Sequence, residues 1–207
     1  MTASSSVLFT IAFTLWDSPT TVLEVLAFVL ALAMVGCNIR EIHWGWPLAA
    51  LSSGLYFILF WHSRLYGDAS LQVFFALMAV WGWWQWLRGH GSDGQQLHIR
   101  RLSPRGRTLA CLGSAVLWPL CGVFLWRWTD TDVPWWDAFP TALSVVGQFL
   151  LGRKYLENWP VWLLVNVVGS ALFAWKGLWL TTLLYLIFAV LSGVGWRAWR
   201  HRVAACP

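Results

Sequence analysis

The chain has 207 residues, 58% of them hydrophobic and only 11% charged, with a mean hydropathy of +0.60. A water-facing domain carries about a quarter charged residues, so a soluble fold is excluded and the solvent is lipid. The net charge of +5 then describes membrane topology and contact with anionic headgroups, not a nucleic-acid footprint, because the arginine-rich stretch has no interleaved aromatics.

In chain order, residues 1–18 include SSSVLFTIAFTLW (4–16). This run is too short to span, has no upstream basic region or small-residue cleavage site, and reads as a surface helix. Apolar stretches of the length a bilayer needs, about 17–25 residues, follow over 20–39, 44–63, 67–88, 107–128, 135–153, 159–176 and 178–199. That predicts an all-α integral membrane protein with seven crossings. The polar segment RGHGSDGQQLHIRRLSPRGR (88–107) divides them. A three-helix unit over 19–88 precedes a basic loop over 89–106. A connector helix over 107–128, a second three-helix unit over 134–200 and a tail over 201–207 complete the chain. Many of the nineteen tryptophans fall near the ends of apolar runs, where amphipathic rings settle at headgroup level.

Orientation follows from lysine and arginine. Placing the 88–107 loop in the cytoplasm puts eleven basic residues on that side and leaves Arg64, Arg127 and Lys176 on the other. The N-terminus is then outside and the C-terminus cytoplasmic. Sliding 44–84 onto 159–199 without a gap gives seven identities, among them Trp44/Trp159, Gly54/Gly169 and Trp84/Trp199. This superposes the second span on the sixth and the third on the seventh. With an odd connector span, the two units would be parallel repeats (3+1+3). Tryptophan belts recurring at similar depths are the alternative origin of those identities.

Polar residues inside spans are expensive and informative. Asp137, Thr141, Ser144 and Gln148 form one stripe on the fifth span, and Trp159, Trp162, Asn166 and Ser170 share a face of the sixth. Counted from the helix ends at 1.5 Å per residue, Gln148 and Asn166 lie at similar depth. The seventh span adds Thr181, Tyr185 and Ser192; the first unit adds Asn38, Ser52, Ser53, Tyr56 and Gln72. Singly, each serine or threonine is as well explained by bonding its own backbone or knitting helices. No charged residue sits near a span centre, no P-loop is present, and neither the five histidines nor the four cysteines are spaced as metal ligands. ATP hydrolysis, ion coupling, metal chemistry and enzymatic catalysis are therefore not expected, nor is a cofactor. Neutral amides, hydroxyls and indoles suit a planar, polar or softly cationic solute.

The segments DAFPTALSVVGQFLLGRKYLENWPVWLLVN and LTTLLYLIFAVLSGVGWRAW, with WGWPLAALSSGLYF and WGWWQW in the first unit, resemble the PnuC-type nicotinamide riboside transporters over roughly 20–200. The resemblance implies a SWEET-like fold and facilitated diffusion of nicotinamide riboside across a bacterial inner membrane. It also implies trapping by a cytoplasmic kinase and a small homo-oligomer, a trimer. On that reading Trp159 and Trp162 stack on the pyridinium ring. Asn166 and Gln148 bond its carboxamide or the ribose, and Ser144, Tyr185, Asn38 and Gln72 complete the candidate set. Thiamine or riboflavin as substrate, or a membrane scaffold that transports nothing, are the competing readings.

Overall fold

The structure is a computed structural model that describes residues 10–15, 18–62, 66–91, 94–129, 131–177 and 179–205. Residues 1–9 of the N-terminal segment, Arg64 and the last two residues of the tail lie outside the described residues. Two short strands, β1 (Ile11–Leu15) and β2 (Ser18–Thr21), are followed by seven helices. These are α1 (Val22–Ile39), α2 (Gly45–His62), α3 (Tyr66–Arg88), α4 (Pro104–Trp128), α5 (Pro134–Gly152), α6 (Asn158–Trp175) and α7 (Trp179–Ala205). Among the described residues, α1, α4, α6 and α7 are long and apolar enough to cross a membrane by length and composition.

The strands correct the expected surface helix. β1 and β2 pair as an antiparallel hairpin, Ile11 opposite Thr21 and Leu15 opposite Ser18. Ser18, Pro19 and the β-branched Thr20 and Thr21 disfavour helix and suit an edge strand. The helix begins where a capping box is available. The Thr21 hydroxyl accepts from the Glu24 amide at 3.3 Å, and the Glu24 carboxylate accepts from the Thr21 amide at 2.6 Å. α4 begins at Pro104, three residues earlier than the apolar pattern indicates, behind a cap at Ser103 whose hydroxyl accepts from the Gly106 amide at 3.1 Å.

α1 packs on α2 and α2 on α3; α5 packs on α6 and α6 on α7. The two groups join where α1 meets α7 and α3 meets α5, and α4 lies along α5. The Trp118 indole donates to the Trp135 carbonyl at 2.9 Å, fixing α4 there. The outward residues of α4, including Leu109, Leu112, Val116 and Leu120, are apolar, as a lipid-facing helix requires.

A cluster of buried tryptophans fills the end that carries the α3–α4 loop. Trp46 and Trp199 are the largest fully buried side chains. Trp46 meets Trp86 edge-on at 5.5 Å and 85°, and Trp159 meets Trp199 edge-on at 5.5 Å and 89°. Trp86 and Trp199 come within 6.4 Å of each other between the two pairs. Each inner tryptophan of α3 and α7 also ties down the far group. Trp86 donates to the Leu151 carbonyl at 3.2 Å, and Trp199 donates to the Asn38 and Ile39 carbonyls at 3.2 Å. These bonds fall on carbonyls at the C-termini of α5 and α1, where Leu151 also accepts from the Lys154 amide at 3.0 Å and Asn38 from the Glu41 amide at 3.2 Å.

The residues in these paired roles are 113 positions apart: 46 and 159, 86 and 199, 38 and 151. The ring of Trp46 lies on Gly82, and that of Trp159 on Gly195, at the same spacing. α1 and α5 end alike, with Glu41 at φ 59° and Lys154 at φ 54°. This departs from the offset of 115 read from sequence identities. Under that offset Trp44 would match Trp159, yet Trp44 is 58% exposed and Trp159 is 3% exposed.

The α3–α4 loop is docked, not free. The Arg100 amide donates to the Lys154 carbonyl at 3.1 Å, and the Leu156 amide donates to the Arg100 carbonyl at 2.9 Å. Ile99 joins the tryptophan cluster. Glu157 accepts from the Leu102 amide at 2.9 Å and pairs with Arg107 at 3.1 Å.

Candidate functional site

α6 opens with Asn158, Trp159 and Pro160, and the missing proline amide costs little in a first turn. Its inward face then carries Trp162, Asn166 and Ser170, one helical turn apart or nearly so. Opposite Trp162 stands Gly147 on α5. A Cβ there would lie 3.3 Å from Trp162 Cε2 and 3.4 Å from its Nε1, so the absent side chain is what lets the indole lie against the α5 backbone. The Trp162 Nε1 is buried and has no hydrogen-bond partner. An indole N–H normally finds one when buried.

Gln148 follows Gly147 and is 8% exposed. Its amide makes no hydrogen bond among the described residues, while its neighbours on the stripe are satisfied locally. Thr141 donates to the Asp137 carbonyl at 2.8 Å and Ser144 to the Pro140 carbonyl at 2.8 Å. Gln148 and the Trp162 indole N–H are thus buried polar groups without a hydrogen-bond partner among the described residues, as are the indole N–H groups of Trp46 and Trp159. One turn further along α6, Asn166 donates to the Ser192 hydroxyl of α7 at 3.3 Å, and Ser192 donates back to the Phe188 carbonyl at 2.7 Å. Asn166 Oδ1 receives no bond among the described residues.

Beyond Asn166, Tyr185 lies against Gly169, where a Cβ would stand 2.6 Å from its ring, and packs on Phe173 at 4.9 Å. The opposite end is held by Asp137, which pairs with Lys176 at 3.1 Å and accepts a hydrogen bond from Thr131.

The packing register revises the depths counted from helix ends. Because Gly147 faces Val161 and Trp162, Gln148 is level with the start of α6, and Asn166 stands about 7 Å further along at 1.5 Å per residue. The polar groups therefore form a column and not a ring: Gln148 with Trp162, then Asn166 with Ser192, then Tyr185. Ser144 lies beside the middle of the column, bonded to its own helix.

Two of the residues expected at the site stand elsewhere. Trp159 is 3% exposed, wedged between Gly195 and Trp199; it belongs to the tryptophan layer below the column. Asn38 is in that layer too, its Oδ1 beside Gly45 and its Nδ2 donating to Met34 Sδ at 3.1 Å. Gln72 is half-buried and makes no hydrogen bond among the described residues. It stands on α3 at the position 113 before Tyr185. Sequence reasoning passed over Trp46, Trp86 and Trp199 as a unit. Their signal was available in the recurring G-W-x-x-W of 82–86 and 195–199, and in the Trp-Pro pairs at 46–47 and 159–160.

Among the described residues no cluster of three or more histidine, cysteine or acidic side chains could hold a metal. The groups in the column are neutral hydrogen-bonding and aromatic ones, able to bind and release a solute.

This geometry agrees with what the chain is similar to. The nicotinamide riboside transporter PnuC of Escherichia coli (strain K12) is 26% identical over 202 residues, covering 86% of this chain and 84% of that protein. The riboflavin/roseoflavin transporter RibM of Streptomyces davaonensis is 28% identical over 196 residues, covering 91% and 89%. The crystal structure of the vitamin B3 transporter PnuC superposes with a TM-score of 0.74 at 21% identity, covering 89% of this chain and 83% of that one, and so shares the fold. The family described as nicotinamide mononucleotide transporter matches residues 21–201, nearly the whole helical bundle, and the chain belongs to that family.

Proposed function

We propose that this protein carries nicotinamide riboside across a bacterial inner membrane by facilitated diffusion, with a cytoplasmic kinase keeping the gradient inward by phosphorylating the product. The observation that carries this reading is the open pair of Gln148 and Trp162. A buried primary amide and a buried indole N–H, each without a hydrogen-bond partner among the described residues, suit a flat solute that brings a carboxamide and hydroxyls. Stacking and cation–π attraction on one indole contribute about 0.5–2 kcal/mol. The curated relative from Escherichia coli named for nicotinamide riboside supports the same substrate. Among the described residues no Lys or Arg makes a hydrogen bond or ion pair with a member of the column that could be redirected to a phosphate, so nicotinamide mononucleotide should not be carried.

All seven helices cross the membrane in this reading. α1–α3 and α5–α7 are parallel repeats joined by α4, the N-terminus is outside and the loop-bearing end is cytoplasmic. The regular spacing of 113 between the paired tryptophans, glycines and left-handed residues supports the repeat, and the eleven-to-three distribution of basic residues supports the orientation. A homotrimer is the proposed assembly.

Riboflavin is the second reading, favoured by the Streptomyces relative; its tricyclic ring also carries amide-like edges. One assay separates them. Purified protein should gain thermal stability with its substrate by about 2.7 kcal/mol at a hundredfold excess over Kd. The shift is expected with nicotinamide riboside and absent with riboflavin, thiamine, nicotinamide mononucleotide and a sugar. Proteoliposomes should equilibrate labelled nicotinamide riboside without ATP, sodium or a proton gradient. Accumulation above the external level that a protonophore abolishes overturns the passive mechanism.

A further inference from the structure

We infer that Glu41 and Lys154 form a latch that holds the loop-bearing end of the bundle shut and must part for the substrate column to open there. The inference rests on the transport reading only for its purpose; its geometry stands by itself.

The two residues occupy the same place in their groups, immediately past the ends of α1 and α5, and both adopt the left-handed backbone, at φ 59° and 54°. For side chains with a Cβ that conformation is strained, so something must hold each turn in place. What each turn achieves is to aim its side chain at the other group. Lys154 Nζ pairs with Glu41 Oε2 at 3.1 Å, the two side chains being 12% and 22% exposed. Glu41 Oε1 also takes Arg202 Nη1 of α7 at 2.6 Å. One carboxylate from the first group thus receives two cations from the second. The Lys154 ammonium rests over the ring of Trp86 at 4.9 Å, the same indole that donates to Leu151.

Below this ion pair lies the four-tryptophan layer, in which the indole bonds of Trp86 and Trp199 cross from one group to the other. All of these contacts link the two groups, so opening this end breaks them together. The indole bonds can be replaced by water, which satisfies both the N–H and the carbonyl. The charge cluster differs, because it can be inverted by substitution without changing the backbone. That makes the carboxylate at 41 the point where the closed state can be tuned.

The test uses pulsed electron–electron resonance on the full chain in nanodiscs. Spin labels are attached at Arg88→Cys and His201→Cys, exposed sites on α3 and α7, with Cys37, Cys111, Cys121 and Cys206 replaced by serine. The unaltered latch should give one short distance. Glu41→Lys turns two attractions into two repulsions and should populate a longer distance, raising the ratio of open to closed molecules at least about tenfold, the factor that about 1.4 kcal/mol produces. Glu41→Gln should fall between. Reversing every member, with Glu41→Lys, Lys154→Glu and Arg202→Glu together, restores both pairs and should bring back the short distance. If Glu41→Lys keeps the short distance, or the full reversal opens as widely as the single variant, the latch is overturned. Uptake on the same preparations separates this from the substrate assignment. Opening as expected with no uptake of nicotinamide riboside overturns the substrate and leaves the latch. Normal uptake with unchanged distances does the reverse.

Discussion

Replacing Gln148 by alanine should weaken substrate binding far more than replacing Thr141, although both lie on one stripe of α5. The Thr141 hydroxyl already donates to the Asp137 carbonyl at 2.8 Å, so its removal takes away a bond internal to the helix. The Gln148 amide is 8% exposed and has no hydrogen-bond partner among the described residues, so a contact to bound solute is what its removal should take away. One good polar contact contributes about 1–3 kcal/mol, or about five- to 150-fold in Kd. Stability should hardly change. Deleting an unpartnered amide relieves its desolvation, which offsets the lost methylenes to within about 1 kcal/mol, a Tm shift of about 4 °C or less. Calorimetric titration of nicotinamide riboside into monodisperse variants measures the affinity, and a thermal melt of the same samples measures Tm. If Gln148→Ala binds as tightly as the unaltered protein while Thr141→Ala does not, the column is misplaced and the site lies nearer the Asp137 end.

The two tryptophans of α6 should part company. Trp159→Ala should cost about 3–5 kcal/mol of stability, as loss of a buried indole does, seen as a lowered Tm. Trp162→Phe should keep Tm and lose about tenfold in affinity, through the indole N–H. Gly195→Ala should destabilise, because its Cβ would stand 2.5 Å from the Trp159 ring, whereas Gly193→Ala meets open space and should raise Tm slightly, alanine being the better helix former; equal shifts for the two would refute the packing argument. A cysteine at Arg101 should react with an impermeant thiol reagent only after cells are opened, and one at Asp132 should react in intact cells; the reverse pattern overturns the orientation.

The seven helices were legible because lipid imposes a length and a composition on each crossing, and because turn chemistry is local. Thr21–Glu24, Ser103 and the polar 153–157 turn mark boundaries that hydropathy alone leaves soft. What sequence could not supply was register between helices. Counting from helix ends puts Gln148 and Asn166 at one depth, but depth is set by how α5 seats on α6, and that depends on a missing side chain at Gly147. Trp159 illustrates a related ambiguity. An indole at a helix start is as good a belt residue or solute platform as a packing wedge, and only the glycine at 195, far away in sequence, makes it a wedge. The hairpin at the N-terminus was missed because a short apolar run was read by hydrophobicity while Pro19 was passed over.

The docking of the α3–α4 loop says where this chain can be cut. From Ile99 onward the loop is fastened to the α5–α6 turn through Arg100, Leu102 and Arg107, and α4 is fastened to α5 through Trp118. The connector is thus an appendage of the second group, although sequence places it midway. Between Gly89 and Leu97 the described backbone bonds are few: the Gly91 amide to the Gln95 carbonyl, the Gly94 amide to the Gly91 carbonyl and the Leu97 amide to the Gly89 carbonyl. A break at Gly94 therefore severs little besides the peptide bond. Residues 1–93 and 94–207, made as two polypeptides, should find each other in the membrane and co-purify, the second piece bringing its own outrigger helix and the plug that seals the tryptophan layer.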